Sequence, residues 1–136
     1  MTAEQRLPAI ERVITQAQID RYASASGDFN PIHIDKKVGE ASQFGSTIAH
    51  GMMVAATISE MMTQAFGAHW AEAGRLKIRF KAPVLPGDIV TASGQVAGVD
   101  DEPGGRRIRC AVVVKKQTGE EVITGDASVV VPMGQA

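Results

Sequence analysis

Residues Gly51 to Phe66 constrain this chain more than any other stretch. They read as one helix carrying Met52, Met53, Val54, Ala55, Ala56, Ile58, Met61, Met62 and Phe66, with Glu60 as its only charge. A helix that is apolar on every side is expected to be buried on every side. It is too short to cross a membrane comfortably, so something in the chain must wrap it. The second half supplies the wrapper. Leu76 to Lys81 alternates strictly between an apolar face and a basic face, the period of a strand. Ile89 to Val99 reads as a second strand, Asp100 to Gly105 as a hairpin turn, and Arg107 to Lys116 as a third strand. Gln117 to Glu120 is a turn, and Glu121 to Val131 a fourth strand. Strands joined by short turns run antiparallel. The economical packing is an α+β arrangement, a long antiparallel sheet curled around one central buried helix.

A chain of 136 residues with a net charge of -1 is expected to form a single domain over residues 1–136, large enough to bury one core. The balanced charge argues against a nucleic-acid or anionic-membrane partner. Cys110 is the only cysteine, so an intrachain disulfide is excluded and a reducing, cytoplasmic setting is expected. The polar start from Met1 to Arg6 lacks the apolar run of a signal peptide. His33, His50 and His69 are unevenly spaced, which gives no zinc-type pattern, and no Gly-rich phosphate loop precedes a helix. Neither a metal nor a bound cofactor is expected.

The first half carries the polar chemistry. Ala9 to Ile14 alternates weakly, as a first edge strand would. Thr15 and Gln18 have capping-box spacing, so a helix is expected from Gln16 to Ser26, with Ile19, Tyr22, Ala23 and Ser26 on one face and Gly27 as its stop. Asp28-Phe29-Asn30-Pro31-Ile32-His33 follows. It sets a carboxylate and an imidazole five residues apart across an Asn-Pro pair, which biases the backbone into an extended bend. Asp28 and His33 are thereby expected on a short loop, close enough to share one water, as general acid–base chemistry needs. Taken alone the hexapeptide is better read as an Asx turn with His33 an ordinary strand residue, and it is the neighbouring segments that favour the acid–base pair. Asp35 can cap a brief turn through Lys36 and Lys37, and Ala41 to Thr47 reads as a connecting loop.

Tyr22, Ser26-Gly27-Asp28, Asn30-Pro31-Ile32-His33 and Asp35 together resemble the hydratase 2 motif of MaoC-like, (R)-specific enoyl-CoA hydratases. Ile48-Ala49-His50-Gly51-Met52, Phe80-Lys81-Ala82-Pro83-Val84-Leu85-Pro86-Gly87-Asp88 and Thr124-Gly125-Asp126-Ala127 are similar to further segments in the same order. The resemblance covers nearly the whole chain. It departs at Lys36, Val38 and Gly39, where the family usually has a proline, an aromatic residue and an alanine.

The resemblance implies a hot-dog fold and reversible hydration of a 2-enoyl thioester to the (3R)-hydroxyacyl thioester. Asp28 and His33 would be catalytic. Which of the two delivers the proton to C2 is not decided by the sequence. The Gly51 amide, at the positive end of the buried helix, would meet charge on the thioester oxygen; a plain helix start explains Gly51 equally well. Asn30 either bonds the thioester or fixes the turn, and the turn is the better reading. His50 is read as a structural histidine that orients the loop. Met52, Ala55, Ala56, Ser59 and Met62 offer an apolar slot, with Ser59 and Met62 placed near the acyl pocket by the resemblance. Lys77, Arg79 and Lys81 could meet coenzyme A phosphates, though a solvated face is the safer reading. Coenzyme A or acyl carrier protein enters only as part of the substrate, and an unpaired sheet edge implies a homodimer. The competing readings are a (3R)-hydroxyacyl-carrier-protein dehydratase, a hot-dog thioesterase and a non-catalytic acyl-thioester binder.

Overall fold

A computed structural model describes residues 2–133. The termini of the 1–136 span, residue 1 and residues 134–136, lie outside the described residues. In chain order the elements are β1 (Ile10–Val13), α1 (Gln16–Ser26), α2 (Pro31–Ile34), α3 (Lys36–Ala41), α4 (Gly51–Phe66), α5 (Ala68–Ala73), β2 (Gly74–Phe80), β3 (Ile89–Glu102), β4 (Gly105–Lys116) and β5 (Glu121–Val131). The five strands form one sheet in the order β1-β3-β4-β5-β2, and every neighbouring pair is antiparallel. The long hairpins β3–β4 and β4–β5 make its centre. The strand after α4 pairs with the last strand rather than the next one, Leu76 opposite Ala127 and Phe80 opposite Ile123. Register shifts at Val96/Gly98 and Val114/Lys115 interrupt the two hairpins, and bulges of this kind bend and twist a sheet.

The expected arrangement of sheet and helix is present. Val54, Ala55, Ile58, Met61, Met62 and Phe66 of α4 are buried. They join Val90, Val96, Ile108, Val112, Val114, Val129 and Val131 from the inner face of the sheet. Burial of one such side chain is worth about 1.5–3 kcal/mol, so this contact dominates the stability of the fold. One expectation fails in detail. The helix is not buried on every side: Met52 is 62% exposed, and Ala56, Thr63 and Gln64 are exposed along the same stripe. The sheet of one chain reaches around one side of α4 only, and this mixed stripe opposite it faces outward.

Local signals explain most boundaries. Thr15 and Gln18 form a complete capping box on α1, which Gly27 ends at φ 79°. The capping box thus sets the start of this helix and the left-handed glycine its end. The charged run Asp100 to Gly105, expected as a turn, is mostly strand: β3 continues to Glu102, and only Pro103-Gly104 separates it from β4. The reason is cross-strand charge pairing. Asp100 bonds Arg109 at 2.7 Å and Glu102 bonds Arg107 at 2.9 Å, so acidic residues that suggest a loop are stabilised inside a ladder. Helix α5 was not expected at all; it fits between Gly67 and Gly74 and packs Trp70 against the core.

The turn before β3 is fastened by Asp88. Its carboxylate accepts from the Leu85 amide at 2.9 Å and the Gln117 side chain at 2.9 Å, and pairs with Lys116 at 3.2 Å. Partial burial works to raise its pKa, but the Leu85 and Gln117 hydrogen bonds and the Lys116 charge outweigh it and hold the carboxyl below its ordinary value. A carboxyl whose pKa is lower in the folded state contributes stability above its unfolded pKa, and that contribution is lost as pH falls through the folded value. Asp88→Ala is expected to cost about 2 kcal/mol at neutral pH. Denaturant titrations should show the gap to the wild type closing below about pH 4.

Candidate active site

The hexapeptide folds as two linked turns. The Asp28 carboxylate accepts from the Asn30 amide at 3.2 Å, and the Asn30 side chain accepts from the Ile32 amide at 3.1 Å. Asn30 is thus the N-cap of α2 and Pro31 its first residue, where a proline fits because its missing N–H would have no partner. The Asn-Pro pair was expected to bend the chain out of helix. Asn30 itself is non-helical at ψ 126°, but proline then starts a helical turn. His33 therefore sits on a one-turn helix, neither on a loop nor on a strand.

His33 is held from several sides. Its Nδ1 is 2.7 Å from the Ile48 carbonyl. A carbonyl only accepts, so Nδ1 carries the proton and Nε2 is left for chemistry. Its own carbonyl accepts from Gln16 at 2.8 Å, and Gln16 is fixed in turn by the Thr47 hydroxyl at 2.6 Å. The Ile48 amide donates to the Ile32 carbonyl at 3.1 Å. These bonds join α1, α2 and the segment that leads into α4.

Asp28 Oδ2 lies 3.9 Å from His33 Nε2. That is too far for a direct hydrogen bond, but a water at ordinary distance from both atoms would subtend an angle of roughly 90°. The Asn30 amide occupies Oδ1, which leaves Oδ2 turned towards the imidazole. The Asp28 side chain is 52% exposed and that of His33 12%, so the pair has an open side and a sheltered one. His50, which is buried, stacks on His33 and bonds the Asp28 carbonyl through Nε2 at 2.9 Å.

A cavity of about 310 Å³ opens beside His33 and Gly51, walled by Ile48, Val54, Phe80, Val84 and Ile123 among others. Gly51 is the first residue of α4, and His50 makes no side-chain cap there, so the leading amides are free of that partner. A Cβ on Gly51 would come 2.8 Å from the Phe80 ring; glycine is what lets ring and helix start lie so close. Gly39, where the resembled family has alanine, is similarly constrained: a Cβ would fall 2.3 Å from the Thr47 backbone nitrogen.

His33 and Gly51 therefore share one cavity, with Asp28 facing His33 beside it. Asn30 belongs to the turn. Ser59 and Met62 do not line the cavity. They lie about 12 and 16 Å further along α4, Ser59 half-buried and Met62 in the core. Met52 and Ala56 face outward and Ala55 is in the core, so the slot assembled along α4 from sequence is not one surface. Lys77 and Arg79 are exposed on β2, and Lys81 pairs with Glu121 at 3.5 Å. Reading the sequence missed Phe80 as a cavity wall, Gln16 as a clamp and the Ile48 carbonyl as the acceptor for His33. Phe80 looked like one more inward residue of an alternating strand, and a backbone acceptor leaves no signal in residue types.

Donor atoms of Asp28, His33 and His50 lie within 4.8 Å of one another. They are poorly arranged for a metal. The two rings stack with centroids 3.9 Å apart and planes 23° apart, so their in-plane lone pairs run side by side instead of converging. His33 Nδ1 and His50 Nε2 are also already bonded to carbonyls. Cys110 is buried on β4, and burial pushes its thiol up to about 11, so it stays protonated and unreactive.

The family described as "MaoC like domain" matches residues 1–125. An (R)-specific enoyl-CoA hydratase of Rhodospirillum rubrum is 33% identical over 124 residues, covering 91% of this chain and 84% of the relative. A 3-hydroxybutyryl-CoA dehydratase of Methylorubrum extorquens is 32% identical over 124 residues, covering 90% of this chain and 76% of the relative. Among solved structures, the (R)-hydratase of A. caviae involved in PHA biosynthesis superposes with a TM-score of 0.85 at 26% identity, covering 97% of this chain and 98% of that one.

Asn30→Ala removes the acceptor for Ile32 and should cost about 1 kcal/mol. Amide hydrogen exchange should quicken at Ile32 and His33 while the amides of α4 stay protected.

Proposed function

The chain belongs to the MaoC-like domain family, and from that membership and the Asp28–His33 pair we propose that it adds water reversibly across the double bond of a trans-2-enoyl thioester to give the (3R)-hydroxyacyl thioester. It is on this reading a hydro-lyase, in keeping with the names of its relatives. The observation that carries the reading is the 3.9 Å separation of Asp28 Oδ2 from His33 Nε2, with the cavity and the start of α4 beside it.

The chemistry follows from what each group offers. A water held by Asp28 and His33 attacks C3 while the pair takes one of its protons. The π electrons move to the thioester carbonyl, and the Gly51 amide meets the charge that develops on that oxygen. The enolate collapses, and the proton held by the pair passes to C2. One O–H bond of water and the C=C π bond break, and a C–O and a C–H bond form. Run backwards, the same steps dehydrate a 3-hydroxyacyl thioester. The apolar cavity takes the acyl group. Coenzyme A or acyl carrier protein is part of the substrate, and the mechanism uses no further cofactor.

The working unit we propose is a homodimer of single domains spanning residues 1–136. Strand β2 is an outer strand of the sheet, and its unpaired side is a template for the same strand of a second copy. No helix among the described residues is long and apolar enough to cross a membrane, which is compatible with a cytoplasmic setting.

Purified protein and crotonyl-CoA should show loss of the enoyl absorbance. Asp28→Asn and His33→Ala should each lower kcat by about 10²–10⁴, with the circular dichroism spectrum retained. Unchanged rates in both variants would remove the mechanism. Gly51→Ala should fold and lose about tenfold in kcat/KM, because the added methyl displaces Phe80 and crowds the amide.

A further inference from the structure

His50 is 2% exposed, and the mechanism above gives it no step. Its ring lies against His33 with centroids 3.9 Å apart and planes 23° apart, and against Tyr22 at 4.8 Å and 56°. Its Nε2 is 2.9 Å from the Asp28 backbone carbonyl. Its Nδ1 is buried with no hydrogen-bond partner among the described residues. A carbonyl accepts only, so Nε2 carries a proton, and in the neutral ring Nδ1 is then an acceptor.

An unpartnered buried acceptor costs free energy, and a plain core residue would avoid that cost. A phenylalanine would fill the space and stack, but could not donate to Asp28. A glutamine could donate, but has no ring to lie on His33. The histidine does both. We propose that His50 is the positioning residue of the catalytic pair, setting both members at once: its face fixes the plane of the His33 ring, and its Nε2–H fixes the backbone of Asp28. Because it also precedes Gly51 as the N-cap of α4, it ties the water-holding groups to the start of the helix.

The proposal rests on the hydratase reading, so its test has a readout that does not need turnover. The first measurement uses the wild-type protein with ¹⁵N-labelled imidazoles. Two-bond ¹H–¹⁵N correlation spectra should show His33 as the Nδ1–H tautomer and His50 as the Nε2–H tautomer. The opposite tautomer at His50 overturns the proposal, whether or not the protein is active.

Variants then separate the two tasks. In His50→Gln the stack is lost, so the His33 ring, still bonded to the Ile48 carbonyl, should rock about that bond, and its ring resonances should shift and broaden. In His50→Phe the stack remains, so His33 should keep its tautomer while the Asp28 amide resonance shifts. If crotonyl-CoA is a substrate, both variants should lose about tenfold to hundredfold in kcat, with KM within about twofold of the wild type. A merely structural residue would instead lower the folded fraction and leave kcat per folded molecule unchanged. Folded His50→Gln and His50→Phe proteins with wild-type kcat and unaltered His33 signals would overturn the assignment. A wild-type protein with the expected tautomers and no hydration would overturn the function and leave the positioning intact.

Discussion

The site depends on one hydrogen bond, from His33 Nδ1 to the carbonyl of Ile48. That bond fixes the tautomer, turns Nε2 towards Asp28, and spans from the short helix α2 to the segment entering α4. It is dependable because its acceptor lies next to residues that are themselves anchored. Ala49 is tied to the Val84 carbonyl at 2.7 Å, and α4 beyond it is held by the hydrophobic core. The precision of an exposed turn is borrowed from a buried helix. Side chains held in this way lose little entropy when substrate arrives, which is the physical content of preorganisation.

The same dependence explains the order of elements along the chain. The polar residues come first, on short capped turns that could not hold a geometry alone. The helix follows, and then the strands that bury it. Gln16, at the start of α1, reaches both the His33 carbonyl and the Thr47 hydroxyl. The first helix, the Asp28–His33 turn and the loop before α4 are therefore tied to one another. A defect in any of them should be felt at Nε2 of His33 before it is felt in the core.

Much of this was legible in the sequence. Helices α1 and α4 and strand β5 announce themselves by caps, periodicity and turn residues, and the paired carboxylate and imidazole could be singled out by spacing. Other features were not legible, for identifiable reasons. Proline after Asn30 signals a break in the helix as readily as a first helical residue, and only the Ile32 amide bonded to Asn30 distinguishes the two. Acidic residues in β3 look like a loop until Arg107 and Arg109 are placed opposite them. The pairing of β2 with β5 is a long-range choice that no local pattern encodes. The apolar composition of α4 indicated burial on all sides, yet one chain covers only part of it.

In the proposed mechanism Asp28 and His33 hold one water on one side of the alkene and return its proton from that same side. Hydration of crotonyl-CoA in D₂O, followed by proton NMR of the product, tests this directly. A single diastereomer of the (3R)-alcohol is expected, carrying one deuterium at C2 added to the same face as the hydroxyl. Deuterium on the opposite face, or both epimers at C2, would contradict it.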